Sequence, residues 1–296
     1  MAALLRHLRV TLEMIKVEHT LFALPFALTA MVLAARGWPE ARIVFWIVLA
    51  MVGARSAAMG FNRLVDREID AANPRTASRA LPAGRLAPGF VAAFVVAALA
   101  LLVLAAWRLN PLCLRLVAVA IPVLLGYSYT KRFTWLAHLT LGLALAGAPL
   151  GAWAAVRGSF ATAPLVLAGA VVTWVAGFDV LYALQDEAFD RSAGLHSIPA
   201  RFGVVAALSV SAALHVATLA LLAALPALYP PGLGSVYWLG WAGCLALLAY
   251  QHAVVRPGDL RRLDAAFFTA NGALAVWLFA CTALDLGLRP GGALSG

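Results

Sequence analysis

Seven of the thirteen acidic residues of this chain stand in two short segments: Asp66, Glu68 and Asp70 in the first, Asp179, Asp186, Glu187 and Asp190 in the second. The first segment reads Asn62-x3-Asp66-x3-Asp70, so on a helix one amide oxygen and two carboxylates share a face, and Asp186 and Asp190 repeat the same step. Carboxylates stacked in this way repel one another unless a cation joins them. A small set of hard oxygen donors suits Mg2+, which keeps several waters and is commonly completed by phosphate oxygens. Two such clusters facing each other would hold a diphosphate through metal ions. Arg63 and Arg67 alternate with Asp66 and Asp70, so one cluster alone reads equally well as a solvated helix end with intrahelical ion pairs. A pair of clusters flanked by basic residues able to meet phosphate favours the shared anionic ligand; those residues are Arg75, Arg79 and Arg85, Lys131 and Arg132, and Arg191 and Arg201.

The elements that must position these residues are membrane spans. In 296 residues the chain is 64% hydrophobic and 12% charged, with mean hydropathy +0.91, which excludes an ordinary soluble fold. Charge-poor stretches at 20–35, 43–62, 86–107, 111–129, 133–156, 158–178 and 265–284 supply seven spans. The uncharged run 202–255 supplies two more, broken by Pro226, Pro230, Pro231, Gly232 and Gly234. The expectation is an all-α, polytopic helical bundle of nine transmembrane helices, forming one domain over 1–296. Fifteen basic residues fall on the side of the N-terminus and six on the other, which places the N-terminus and both acidic clusters in the cytoplasm and the C-terminus outside. The excess of 22 Lys and Arg over 13 Asp and Glu is therefore a topology signal and not one for nucleic acid. The clusters are about four spans apart, which suggests two similar halves. Basic residues precede the first apolar run as in a signal peptide, but no cleavage context follows, and the segment reads as a retained span. Cys113, Cys244 and Cys281 lie in apolar stretches without metal-ligand or disulfide spacing, so they read as packing residues.

With the motifs in view, the chain resembles the UbiA superfamily of membrane prenyltransferases. Asn62-x3-Asp66-x3-Asp70 followed by Arg75-Thr76-x2-Arg79-x-Leu81-Pro82-x-Gly84 is similar to the first signature of that family, and Asp179-x2-Tyr182-Ala183-x2-Asp186-x3-Asp190 to the second. Tyr127-x3-Lys131-Arg132-x-Thr134 matches the motif between them, and Arg55 matches an arginine common in the branch acting on 4-hydroxybenzoate. The resemblance implies transfer of a polyprenyl group from its diphosphate to a small carboxylated aromatic of quinone synthesis. Asn62, Asp66, Asp70, Asp186 and Asp190 would bind Mg2+ or the metal-linked diphosphate. Lys131 and Arg132, with Arg75 and Arg79, would meet the diphosphate itself. Asp179 and Tyr182 would serve the acceptor or the carbocation, and the prenyl tail would lie among apolar spans open to lipid. Arg55 stands within a span, where an arginine is costly unless it faces a polar cavity or an anion; it reads as the binder of the acceptor carboxylate, or as a structural pair with a buried acidic group or backbone carbonyls.

Two departures bear on the acceptor. Segment 15–25 (IKVEHTLFALP) lacks the Asp-Lys-Pro opening of many 4-hydroxybenzoate enzymes, and Ala80 stands where proline is common. Both are similar to a subgroup that includes prenylation of 1,4-dihydroxy-6-naphthoate, so that acceptor stays open beside 4-hydroxybenzoate. Transfer to haem or to a chlorophyll precursor fits the shared motifs as well, but Arg55 and the middle motif favour the small carboxylated aromatic. A secondary transporter is the alternative from another class; it would set its charges near mid-membrane, whereas these stand at span ends. His19, His138, His196 and His215 are too dispersed for a metal site, and Gly147-x3-Gly151 reads as a helix contact. The sequence contains no Walker A motif, HExxH or nucleophile elbow.

Overall fold

A computed structural model of the chain describes residues 2–15, 20–255, 263 and 266–288. Lys16, His19, Arg256, Arg261, Arg262, Arg289 and the start of the expected ninth span lie outside the described residues. All described regular structure is helical. The helices are α1 (Ala2–Ile15), α2 (Thr20–Ala35), α3 (Ala41–Val65), α4 (Arg67–Ala72), α5 (Pro88–Leu109), α6 (Pro111–Thr130), α7 (Ala137–Arg157), α8 (Thr162–Ala183), α9 (Glu187–Ser192), α10 (Ile198–Leu228), α11 (Ser235–Val254) and α12 (Asn271–Gly287). A 3-10 turn, Leu184–Asp186, joins α8 to α9, and a π-helical turn, Ala266–Ala270, leads into α12.

Helices stand at each expected span. Among the described residues, seven are long and apolar enough to cross a membrane: α3, α5, α6, α7, α8 with its continuation to Ser192, α10, and α12 from Phe268. The two remaining expected spans are α2, apolar but only 16 residues long, and α11. The fifth span begins at Ala137 instead of 133, because 131–136 forms a turn whose Leu136 N–H is capped by Thr134 Oγ1 at 3.2 Å.

α2 and α7 pack together at the centre. α3, α5 and α6 assemble on one side, and α8, α10, α11 and α12 close a ring with α2 and α7 on the other. Inside that ring Trp174 is fully buried; its Nε1 donates to Asn271 Oδ1 at 3.0 Å, and Gln251 Nε2 donates to the same oxygen at 2.8 Å. With no water in hydrocarbon, polar groups in spans find one another in this way. α1 lays Val10, Met14 and Ile15 against Met59, Ala80, Leu81, Leu86 and Val91, and Glu13 ties it to Arg85 at 3.2 Å.

Both acidic segments sit at helix breaks of the same kind. α3 ends at Asp66 (φ −90°, ψ 4°) and a six-residue helix follows; the turn after α8 ends at Asp186 (φ −103°, ψ 1°) and another six-residue helix follows. The expected continuous face Asn62–Asp66–Asp70 is thus bent at its middle residue, and the second cluster is bent at its first. The repetition of a long helix, a break at aspartate and a short helix carrying a second aspartate gives the two-halves pattern a structural basis.

Close approach of α3 to α5 depends on Gly53: a Cβ there would stand 2.8 Å from the Ala98 carbonyl oxygen and 2.8 Å from the Leu102 nitrogen. Gly53→Val is expected to cost about 1–3 kcal/mol by overpacking. A lowered melting temperature in detergent checks it; an unchanged one would mean that the two helices separate freely.

Candidate active site

The two breaks meet at one end of the bundle, where Asp66, Asp70 and Asp186 are each held by cations or amides. Asp66 is 2% exposed. Lys131 Nζ lies 2.8 Å from its Oδ2, Arg132 Nη2 3.1 Å from its Oδ1, and Asn62 Nδ2 donates to Oδ2 at 2.9 Å. Arg132 also donates to the Val65 carbonyl at 2.8 Å, which fixes the turn after α6 on the end of α3. Asp70, likewise buried, takes Arg79 Nη1 on Oδ1 at 2.7 Å and Arg63 Nη1 on Oδ2 at 3.6 Å. The longer contact leaves Asp70 Oδ2 buried without a hydrogen bond.

Asp186 is gripped from the first half of the chain. Arg75 donates to it twice, from Nε to Oδ1 at 2.8 Å and from Nη2 to Oδ2, and Asn73 Nδ2 adds a third bond to Oδ1 at 2.9 Å. Arg75 Nη1 also reaches the Tyr182 hydroxyl at 3.2 Å, with the guanidinium 5.3 Å from the ring centroid. Burial works against the Arg75 cation, but the hydrogen bonds and charge of Asp186 outweigh it and hold its pKa above the ordinary arginine value. Asp190 lies beside Ser197, within electrostatic reach of Asp186, Lys131 and His138. His196 N donates to the Lys131 carbonyl at 2.7 Å, so the turn that bears Lys131 and Arg132 is tied both to the end of α3 and to the loop after α9.

Asp179 shares a face of α8 with Tyr182, three residues on, and stands seven residues before Asp186 in the turn that follows. His138 Nδ1 is 2.7 Å from its Oδ2. Arg55 lies on α3 two turns inside Asn62, within electrostatic reach of Tyr127 on α6. Its Nε is buried without a hydrogen bond, and among the described residues no carboxylate pairs with it. Pairing of Arg55 with a buried acidic group thus finds no partner among the described residues.

Three flanking arginines are drawn elsewhere: Arg85 to Glu13, Arg191 to Glu187 at 2.7 Å, and Arg201 over the Phe202 ring. Sequence reasoning passed over two residues of the site. Asn73 had a local signal, since it precedes Pro74 in a turn and accepts the Arg75 N–H on its own Oδ1 at 3.0 Å. His138 had none. Among the described residues no three of His, Cys, Asp or Glu converge as a metal cage. That is compatible with Mg2+, which needs only one or two protein carboxylates when phosphate oxygens complete it.

Fold and site together define a membrane enzyme with paired aspartate motifs. Residues 23–278 match the model of the UbiA prenyltransferase family, and the chain belongs to that family. It is 34% identical over 247 residues to a 4-hydroxybenzoate octaprenyltransferase of Vibrio cholerae, covering 82% of this chain and 85% of that protein. The apo structure of a UbiA homolog from Aeropyrum pernix K1 superposes with TM-score 0.81 at 34% identity, covering 90% of this chain and 98% of that one. A UbiA homolog from Archaeoglobus fulgidus bound to GPP and Mg2+ shares the fold at TM-score 0.73 and 19% identity, over 94% and 100% of the two chains.

The Arg75–Asp186 bond joins residues 111 apart and closes the two halves on each other. Arg75→Ala and Asp186→Asn should each destabilise, and the double variant should fall short of their sum by about 1–2 kcal/mol. A double-mutant cycle on unfolding in detergent measures this, and additive losses would remove the coupling.

Proposed function

We propose that this chain transfers a polyprenyl group from a polyprenyl diphosphate to the ring of 4-hydroxybenzoate, in ubiquinone synthesis, with Mg2+ as cofactor. The observation that carries the reading is the meeting of two aspartate-bearing helix breaks, laced together by Arg75, Lys131 and Arg132. The relative of known acceptor and the motif match support the same reaction.

Asn62, Asp66, Asp70, Asp186 and Asp190 are an all-oxygen donor set, and the unbonded Asp70 Oδ2 leaves a buried lone pair for a cation. Bound there with diphosphate, Mg2+ would offset the negative charge of the leaving group. The chain's own cations do the same work. Lys131, Arg132, Arg75 and Arg79 have side chains 26–37% exposed, so each can turn an N–H toward phosphate oxygens without leaving its aspartate. Charge that builds on the diphosphate as the allylic carbon–oxygen bond opens is met by donors already in place. The Tyr182 ring, held by Arg75, supplies a π face beside that end of the site for the developing carbocation.

Arg55 sits about 16 Å deeper along α3 than Asp66, at 1.5 Å per residue. A guanidinium there can bind the acceptor carboxylate by two parallel bonds and so orient the ring toward the reacting carbon. The prenyl tail lies among the apolar helices and the surrounding lipid. On this reading residues 1–296 form one membrane domain with the N-terminus and site cytoplasmic and the C-terminus outside.

Membranes containing the protein, given a polyprenyl diphosphate and Mg2+, should form prenylated 4-hydroxybenzoate detectable by mass. Product from 1,4-dihydroxy-6-naphthoate alone would reassign the acceptor, and product from neither would refute the reading. A chelator should abolish turnover and added Mg2+ restore it. Asp66→Ala and Asp186→Ala should each lower kcat at least about 1,000-fold, in the range of lost electrostatic stabilisation. Retention of wild-type rate in either would dissociate the aspartates from the chemistry. Arg55→Ala should raise KM for 4-hydroxybenzoate by about 10- to 100-fold, the cost of a lost charged hydrogen-bond pair. An equal rise for the diphosphate would make Arg55 structural.

A further inference from the structure

His138 lies at the joint of three helices and is 4% exposed. Its Nε2 accepts the Ile198 N–H at 3.3 Å, at the start of α10, and its Nδ1 stands 2.7 Å from Asp179 Oδ2 on α8. Those two contacts fix the tautomer. Nε2 is occupied as an acceptor, so the proton of the neutral ring sits on Nδ1 and is donated to the carboxylate. The N-terminus of α10 depends on the same contact. Ser197 Oγ takes the Ala200 N–H at 3.3 Å, the Ser197 carbonyl takes the Arg201 N–H at 3.0 Å, Pro199 has no N–H, and His138 takes that of Ile198.

Asp179 is held by one oxygen only. Its side chain is 25% exposed, and among the described residues no donor reaches Oδ1. An aspartate on the face of α8 that carries Tyr182, one turn before it, with one oxygen bonded and the other open, offers a hydrogen-bond acceptor beside the residue that Arg75 links to Asp186.

We propose that His138 is a positioning residue that locks Asp179 with Oδ1 toward the aromatic acceptor, where Asp179 takes the hydrogen bond of the ring hydroxyl. The inference rests on the phenolic acceptor of the proposed function. As the ring carbon bonds to the prenyl C1, the C1–O bond breaks and its electron pair leaves with the diphosphate. The hydroxyl proton shifts onto Asp179, which relieves the positive charge on the ring. The hydrogen on the attacked ring carbon then leaves to the departing diphosphate, aromaticity returns, and Asp179 gives the hydroxyl its proton back. Prenylated phenol and protonated diphosphate are the only net products. His138 gives up no proton; it keeps the carboxylate in one orientation.

Asparagine and glutamine separate the two jobs of His138. The Asn amide nitrogen stands near the position of Nδ1 and can donate to Asp179, whereas the Gln amide reaches the position of Nε2 and can serve Ile198. With 4-hydroxybenzoate, His138→Ala and His138→Gln should lower kcat about 100-fold, the scale of a misplaced reacting group, with KM for the prenyl diphosphate unchanged. His138→Asn should recover about tenfold of that loss. The His138→Ala deficit should also shrink with 3-fluoro-4-hydroxybenzoate, whose more acidic hydroxyl needs Asp179 less. Melting temperatures of all three variants verify that they fold. Higher activity in Gln than in Asn, or one deficit for both acceptors, would show a merely structural histidine and overturn the inference. A wild type inactive on both phenols would overturn the acceptor reading and this inference with it.

Discussion

Carboxylates gathered at the end of an apolar bundle cannot be left without counter-charge, and that constraint organises the structure. Removing one partner of a buried ion pair costs about 3–5 kcal/mol, because the other is left as an uncompensated buried charge. Asp66, Asp70 and Asp186 each meet it with cations from elsewhere in the chain. Lys131 and Arg132 reach Asp66 across the interface of α3 with the α6–α7 turn, Arg79 folds back on Asp70, and Arg75 crosses to Asp186 in the other half. The charges that make the site chemically useful therefore also hold the halves together at that end.

The same arrangement prepares the site for an anion. A diphosphate arriving with divalent cations brings both signs of charge, and the site already presents both. On the proposed function, carboxylate lone pairs left open would reach the metal while the arginines and lysine, still on their aspartates, would turn spare N–H groups to phosphate. A cluster of bare carboxylates would repel the substrate and a cluster of bare cations would repel its metal. Interleaving them in space, with partners from distant segments, avoids both penalties.

Much of this could be read in the sequence because its signal is local. Four-residue spacing marked Asp66 with Asp70 and Asp186 with Asp190, and charge-poor runs located the helices. What could not be read depends on tertiary placement. The breaks at Asp66 and Asp186 carry no proline or glycine to announce them, and each stands where the carboxylate has a partner 65 or more residues away. Arg75 was legible as a phosphate binder but not as the clasp on Asp186. Arg85, Arg191 and Arg201 were equally plausible by spacing and proved to have nearer partners. His138 lies 41 residues from Asp179 and 60 from Ile198, and no periodicity relates the three.

Depth along the bundle then sorts the polar groups by the charge they can tolerate. At the mouth, where water is near, stand full ion pairs: Asp66, Asp70 and Asp186 with their arginines and lysine. Further in along α8, His138 holds a single carboxylate, Asp179, by one hydrogen bond. Deeper still on α3 is Arg55, whose Nε has no hydrogen-bond partner among the described residues; on the proposed function an incoming carboxylate would offset that cost. A substrate with diphosphate at one end and an apolar tail, meeting a second substrate with a carboxylate opposite a hydroxyl, matches that order of groups from mouth to interior. On the proposed function, that order of groups would select which end of each molecule enters and in what orientation, before any bond is made.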